Sequence, residues 1–418
     1  MSKIKKIKYI VILLIIINIL CFNAYVFADD EDEDLDIEGI EQLIIESATV
    51  PTDEPKLNAR AAIIYDRNTK EVIWGKNEND KKAMASTTKI MTAIVVLENS
   101  NLSDVVTVSK KAAGTGGSRL KINESDKITV NDLLYGLMLK SGNDAAVALA
   151  EHVGGNLEGF ANLMNAKALE LGLTNTNFVT PHGLDDENHY TTAYELALIT
   201  DYALNNQTFA KIVNTQSITI SINGNARTIS NTNELLGYMQ GVDGVKTGFT
   251  GNAGRCLVTS CTRDGNQIIT VVLGCDTKKQ RTSDSMKLIE YAFKNYTRVN
   301  LKEMIEKEFE SWKQINSSRI YINKAKTQDI ELELGKIEKI AIPIKNGEEK
   351  DIQIEINAIY KYEAPLEKDV KIGNIVVKKK DKIIETIDIM CAKTIQKKDI
   401  LSYFKELIIT IPNYNFIN

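Results

Sequence analysis

Apolar residues recur along this chain with two periods, and the period changes partway. Residues 84–97, "MASTTKIMTAIVVL", put Ile90, Ala93, Val96 and Leu97 on one helical face. The run from Ile90 to Leu97 is almost wholly apolar, which predicts a buried helix. Residues 128–140, "ITVNDLLYGLMLK", predict a second buried helix, residues 144–153 a third, and residues 157–172 a fourth that stops at Gly172. Ahead of them, "AAIIY" and "EVIWG" flank Asp66 to Lys70 and read as a hairpin. After them the period becomes two. "SITISINGNARTIS" is a hairpin turning at Asn223-Gly224. "GVKTG", "GRCLVTSCT" and "NQIITVVLG" are strands, the last two joined through Arg263-Asp264-Gly265, and a helix from about Ser283 to Asn295 closes the unit. Helices between an N-terminal hairpin and C-terminal strands predict a mixed α/β domain over 55–300 with a largely antiparallel sheet. From about residue 305, "DIELELG", "DIQIEINAIY" and "DKIIETIDIM" alternate, with Asn346-Gly347 at a turn. That predicts a small all-β, sandwich-like domain over 305–395.

The ends of the chain follow other rules. Lys3, Lys5, Lys6 and Lys8 precede an apolar stretch from Tyr9 to about Phe22, and Val26-Phe27-Ala28 offers small residues for cleavage, so residues 1–28 read as a secretory signal peptide. Residues 29–54 begin "DDEDEDLDIEG" and read as an acidic, solvated linker. Removal of 1–28 takes away four lysines and no acid, so the net charge moves from −5 to −9. An acidic chain without a basic patch points away from nucleic acid. Cys256, Cys261, Cys275 and Cys391 lack the spacing of a metal site and read as buried free thiols.

Three short motifs carry candidate chemistry: Ser86-Thr87-Thr88-Lys89 at a helix start, Ser141-Gly142-Asn143 in a loop between buried helices, and Lys246-Thr247-Gly248 on a strand. Each alone is weak, and their order on these element types is what makes them specific. Ser86 lies one turn before Lys89, so the side chains share a face. A serine hydroxyl needs a base. A buried lysine loses hydration, which disfavours its charged form, and a second cation such as Lys246 lowers its pKa further. Lys89 can thus take the proton from Ser86. The backbone N–H of Ser86, at a helix N-terminus, is free to point at a developing oxyanion, and the N–H of Phe249 is the candidate second donor. Of the three histidines, His152 reads as a core residue and His182 as one that shapes a loop. No G-x-S-x-G elbow supports a Ser-His-Asp hydrolase.

On these motifs the chain resembles the low-molecular-mass penicillin-binding proteins, specifically the serine-type D-alanyl-D-alanine carboxypeptidases. "ASTTKIMTA", "LMLKSGNDAAVALAE", "TNFVTPHGLDD" and "GVDGVKTGFTGNAGRCLVTS" carry the resemblance, and "YEAPLEKDVKIGNIVV" resembles the family's C-terminal β domain. Gly142 stands where the motif usually has Asp, and Phe249 where some members have histidine. The resemblance implies a β-lactamase/transpeptidase-like fold and no metal or cofactor. It implies Ser86 as acylated nucleophile, Lys89 as base, and Ser141 as proton relay to the leaving D-alanine. Asn143 would hold the substrate amide, and Lys246 and Thr247 the terminal carboxylate. Gly248 would let substrate lie along the strand, and Arg281 would stand on the carboxylate side unless it is a surface charge ahead of a helix. The implied partners are a peptidoglycan stem peptide ending in D-Ala-D-Ala and β-lactam antibiotics.

The family often ends in an amphipathic helix lying on the membrane. Here Ile400, Leu401, Tyr403, Phe404, Leu407, Ile408 and Ile411 recur at helical spacing ahead of Pro412, and residues 396–418 read as a tail on the outer face of the cytoplasmic membrane. The rival readings are a transpeptidase, a β-lactamase and a non-catalytic penicillin-binding sensor. Against a class A β-lactamase, Glu158 and Asn162 have the spacing of its deacylating motif but fall too soon after Ser141-Gly142-Asn143. Against a sensor stands the intact triplet, since a binder needs no base.

Overall fold

The computed structural model describes residues 37–48 and 54–410, and the chain divides into two compact units at Lys294/Asn295. The signal-peptide reading of 1–28 lies outside the described residues. Part of the stretch read as a linker is a helix, Ile37–Ala48, with Ile40, Leu43 and Ser47 buried. The acidic run masked an apolar repeat at Ile37, Ile40, Leu43 and Ile44 that has helical spacing.

In the first unit a five-stranded antiparallel sheet runs, in spatial order, Glu71–Lys76, Ala61–Asp66, Asn266–Cys275, Gly254–Arg263 and Val242–Thr250. The three C-terminal strands are buried over most of their length, and the helices Ala193–Ala203 and Gln207–Val213 pack on Asn266–Cys275 and Val242–Thr250 respectively. Asp264 and Gly265 both have positive φ, as do Asn223 and Gly224 in the 217–230 hairpin, so both turns suit the right-handed twist of their strands. Val242–Thr250, which carries Lys246-Thr247-Gly248, is an edge strand of this sheet.

The helix Lys89–Asn99 is the hub of the core. It packs against Val130–Leu139, Asn143–Gly154, Leu157–Glu170, Ala193–Ala203 and Gln207–Val213. Ile90, Met91, Ala93, Ile94, Val95 and Val96 are all buried, and a helix apolar on every side belongs in an interior. Each of its large aliphatic side chains contributes about 1.5–3 kcal/mol on burial. Side chains fix where the neighbouring helices start: Thr129 accepts from Asp132 N, Asn156 from Gly159 N and Thr192 from Glu195 N. The helix holding Arg281 begins at Lys278, five residues earlier than the periodicity suggested, so Arg281 lies inside it rather than ahead of it.

The second unit, taken by itself, has a four-stranded antiparallel sheet ordered Leu332–Leu334, Lys382–Cys391, Lys371–Lys379, Ile352–Ala358, with two smaller strand pairs. It also contains a helix, Leu301–Asn316, that the strand pattern did not foretell. Leu301, Ile305 and Phe309 recur every fourth residue among many charges, and they are buried in the unit's core. Toward the C-terminus a helix spans Ile400–Thr410, and Ile411 lies outside the described residues. Cys256, Cys261, Cys275 and Cys391 are free and buried.

Candidate active site

Ser86 sits on a single 3-10 turn, Ala85–Thr88, that leads directly into the hub helix. It is half-buried, while Thr87, Thr88 and Lys89 around it are fully buried. The preceding residue, Ala85, has φ +48°, in the left-handed region that non-glycine residues rarely enter. Such a conformation persists only where neighbours over-determine it, and it concentrates at functional sites.

Lys89 has no exposed surface, and all three of its ammonium directions are used. Its Nζ lies 2.8 Å from Ser86 Oγ, 2.7 Å from Asn143 Oδ1 and 2.8 Å from the His182 carbonyl oxygen. Burial first, then the Lys246 cation, hold the amine well below the ordinary lysine range, partly offset by Asp144. The groups read as serine nucleophile and lysine base are therefore in direct contact, and the amine is biased toward its neutral form.

Ser141 has φ +57° and is almost buried, and its hydroxyl forms no hydrogen bond among the described residues. Asn143 opens the next helix; its amide donates to the Gly116 carbonyl at 2.8 Å and its oxygen accepts from Lys89, leaving one N–H and one lone pair without a partner among the described residues. Asp144 is a residue the motifs did not single out. Its carboxylate is fully buried and accepts from the backbone N–H groups of Leu120, Lys121 and Ile122 at 2.8, 2.7 and 3.2 Å. It thereby ties the 120–122 segment to the helix that carries Asn143.

The edge strand passes the nucleophile closely. A Cβ on Gly248 would stand 3.0 Å from Ser86 N and 3.2 Å from Thr87 N, so only glycine lets the strand run this near the turn. Lys246 is buried, its Nζ donates to the Thr247 carbonyl at 2.9 Å, and burial followed by the Arg281 cation brings its pKa down to about 7. The Thr247 hydroxyl pairs with that of Thr232 at 2.8 Å. The Phe249 ring lies under the Arg255 guanidinium, 3.7 Å from carbon to ring centroid.

Arg281 is not a surface charge: it is 4% exposed and bonded to Glu234, whose carboxylate also accepts from the Thr282 hydroxyl. The earlier helix start explains its burial. Glu234 and Thr232 were not legible as site residues, because nothing in a lone Glu or Thr marks it. His152 is exposed, with Nε2 3.7 Å from Asp104 Oδ2, rather than in the core: its position on the helix faces away from the hub. His182 Nδ1 accepts from Leu184 N within the loop at 3.2 Å while its carbonyl accepts from Lys89, and burial followed by the Lys89 cation pushes its imidazole down to about 3. Among the described residues no group of His, Cys, Asp and Glu could hold a metal ion.

This arrangement fits what the chain is similar to. The family model described as D-alanyl-D-alanine carboxypeptidase (peptidase S11) matches residues 48–277, and that of the C-terminal domain of penicillin-binding protein 5 matches residues 311–397. The D-alanyl-D-alanine carboxypeptidase DacF of Bacillus subtilis is 34% identical over 361 residues, covering 85% of this chain and 90% of that protein. The crystal structure of the D-alanyl-D-alanine carboxypeptidase DacD from Francisella tularensis is similar with a TM-score of 0.69 at 27% identity, over 84% of this chain and 96% of its own. The Streptomyces K15 DD-transpeptidase gives 0.56 at 36% identity, over 58% of this chain and 99% of its own.

Proposed function

The chain belongs to the D-alanyl-D-alanine carboxypeptidase family, peptidase S11, and on that premise we propose which residues carry each step of its reaction. It is a serine-type D-Ala-D-Ala carboxypeptidase that removes the terminal D-alanine of peptidoglycan stem pentapeptides through an acyl-serine, and it binds penicillin covalently. In the proposed sequence the peptide lies along the edge strand beside Gly248, its terminal carboxylate held by Lys246 and Thr247 with Arg281 behind them. Asn143 holds the substrate amide. Neutral Lys89 takes the hydroxyl proton as Ser86 Oγ attacks the carbonyl of the penultimate D-alanine. The oxyanion that forms is met by the N–H groups of Ser86 and Phe249. Ser141 passes the proton to the amine of the departing D-alanine, the C–N bond breaks, and water hydrolyses the ester to regenerate Ser86. The observation that carries this assignment is the fully buried Lys89 amine 2.8 Å from a half-buried Ser86 hydroxyl.

A pentapeptide ending in D-Ala-D-Ala tests it. One D-alanine should be released per peptide, with water rather than an added amino acid as the main acceptor; predominant transfer to the amine would make the chain a transpeptidase. The pH profile adds a second check. Lys246 binds a carboxylate only as a cation, and its pKa in the free enzyme is about 7. Deprotonation above that pH removes the charge, so kcat/KM for a carboxylate-ended peptide should fall above about pH 7. Lys246→Arg keeps the cation at all these pH values and should abolish that alkaline fall. An identical fall in the arginine variant would exclude Lys246 as its origin.

We further propose that the protein is exported and held at the outer face of the cytoplasmic membrane by its tail. Ile400, Leu401, Phe404, Leu407 and Ile408 form one face of the last helix, and each is more than 60% exposed. No helix among the described residues is long and apolar enough to cross a membrane, so the tail would lie in the interface plane. Deleting residues 400–418, which keeps the Ala325–Lys397 bridge and the Lys398 N–H bond to the Lys324 carbonyl, is expected to release the protein from membranes with its melting temperature unchanged. Early melting of the truncated form, with full-length protein staying in the soluble fraction, would show that the helix packs on the protein instead.

A further inference from the structure

We propose that His189 is a positioning residue for the oxyanion donor: through the Thr88 hydroxyl it fixes the Ala85–Ser86 peptide plane, and so the direction of the Ser86 N–H. This deepens the acylation reading above and rests on it. The two side chains that carry the link are buried. His189 is 3% exposed and Thr88 1%. His189 Nδ1 accepts from the backbone N–H groups of Val179 and Thr180 at 2.9 and 3.3 Å. A ring nitrogen that accepts two N–H groups carries no proton, so the proton sits on Nε2. Nε2–H then donates to Thr88 Oγ1 at 2.8 Å. The Thr88 hydroxyl, accepting on its oxygen, gives its one proton to the Ala85 carbonyl oxygen, also at 2.8 Å.

The Ala85 carbonyl and the Ser86 N–H belong to one planar trans peptide and point in opposite directions. Pinning the oxygen on the loop side therefore aims the N–H at the other side, where the edge strand passes: a Cβ on Gly248 would stand 3.0 Å from Ser86 N. The plane needs this support because Ala85 has φ +48°. The loop is shaped to give it. Gly183, with φ +86°, comes so near that a Cβ there would lie 1.9 Å from the Ala85 oxygen. The same loop reaches the hub helix through the Pro181 carbonyl, which accepts from Thr92 at 2.6 Å. Burial pushes the His189 imidazole down to about 4, so it stays neutral and keeps this tautomer at neutral pH. Phe178 meets its ring edge-on at 5.8 Å between centroids, which fixes the ring's tilt.

Asparagine and glutamine separate the two halves of this role. His189→Asn keeps an acceptor where Nδ1 was and loses the donor to Thr88. His189→Gln keeps a donor where Nε2 was and loses the acceptor. The full-length variants are reacted with a fluorescent penicillin, and the acylation rate constant is separated from the dissociation constant of the preceding complex. His189→Asn is expected to slow acylation about 10-fold or more, below the 10²–10³ of losing an oxyanion donor outright, with the dissociation constant unchanged. His189→Gln is expected to stay within about 3-fold of the parent. Thr88→Val, which removes only the hydroxyl, should reproduce the asparagine variant, and combining the two should add little. Equal losses in the asparagine and glutamine variants, or normal acylation by Thr88→Val, would overturn the proposal. Should His189→Asn fail to fold, Thr88→Val decides alone. Ser86→Ala run in parallel keeps the two ideas apart. A persisting adduct there would sink the acylation reading itself, whereas a normal Thr88→Val beside a silent Ser86→Ala would sink only the role of His189.

Discussion

Ser86→Ala should leave no covalent penicillin adduct and reduce D-alanine release by at least about 10⁴-fold, in the range seen when a hydrolase loses its nucleophile. Loss of fold would not explain this result. Ser86 is half-buried at the head of the hub helix, and among the described residues its Oγ makes a single hydrogen bond, from Lys89. Removing it leaves Lys89 with the Asn143 oxygen and the His182 carbonyl, so the buried amine keeps two of its three acceptors. The change in stability should be within about 1 kcal/mol, the scale of one net hydrogen bond. Backbone geometry should survive as well, because Ala85 is held by Thr88 and Gly183 rather than by the serine side chain. The variant should therefore bind a penicillin reversibly and go no further. Mass spectrometry of the protein after exposure to a β-lactam decides the point: an added mass that survives denaturation would place the nucleophile elsewhere.

The sequence made some of this legible for a definite reason. Serine and lysine three residues apart on a helix must share a face, and the apolar run behind Lys89 required that face to be inside; periodicity alone thus predicted the contact between Ser86 and Lys89. The hairpins and the three long strands were readable because their turns are chemically marked, as at Asn223-Gly224 and Asp264-Gly265. Three kinds of feature were not readable. Leu301–Asn316, whose apolar positions are thinly spread among charges, gives a weak signal beside a strand-like context, and Ile37–Ala48 follows an acidic run that hides its apolar repeat. Short helices such as Ala193–Ala203 were not among the elements that the apolar pattern marked. Partners supplied across long sequence separations left no local pattern. Glu234 reaches Arg281, Thr232 reaches Thr247 and His189 reaches Thr88, and only the packed loop and sheet edge bring these pairs together. Asp144 is the exception that could have been found, since an acid in a first helical turn beside a candidate site is a known capping and anchoring choice.

Lys89→Arg should slow acylation by at least about 10²-fold, the lower end of what general base catalysis contributes. Arginine keeps the positive charge but stays protonated, so it cannot receive the serine proton. It is also bulkier, and a site with no exposed surface resists extra volume. Lys89→Met therefore accompanies it: methionine fills the space without a charge and without a base, and it should lose acylation as well. The pair is informative because stability reports the protonation state independently of activity. In the folded chain Lys89 titrates well below the ordinary lysine range, chiefly through burial. In the unfolded chain it titrates near 10.4. Between these two values the unfolded chain binds the proton and the folded chain does not, so unfolding takes up a proton and the parent gains stability as pH rises. Lys246, with a folded pKa of about 7, adds a slope of the same sign from about pH 7 upward, and it is present in both proteins. Subtracting the stability curve of Lys89→Met from that of the parent isolates Lys89. The difference should move in the parent's favour with rising pH. A flat difference would mean that the lysine is charged in the folded protein at these pH values, and near-normal acylation by Lys89→Arg would mean that the base is another group.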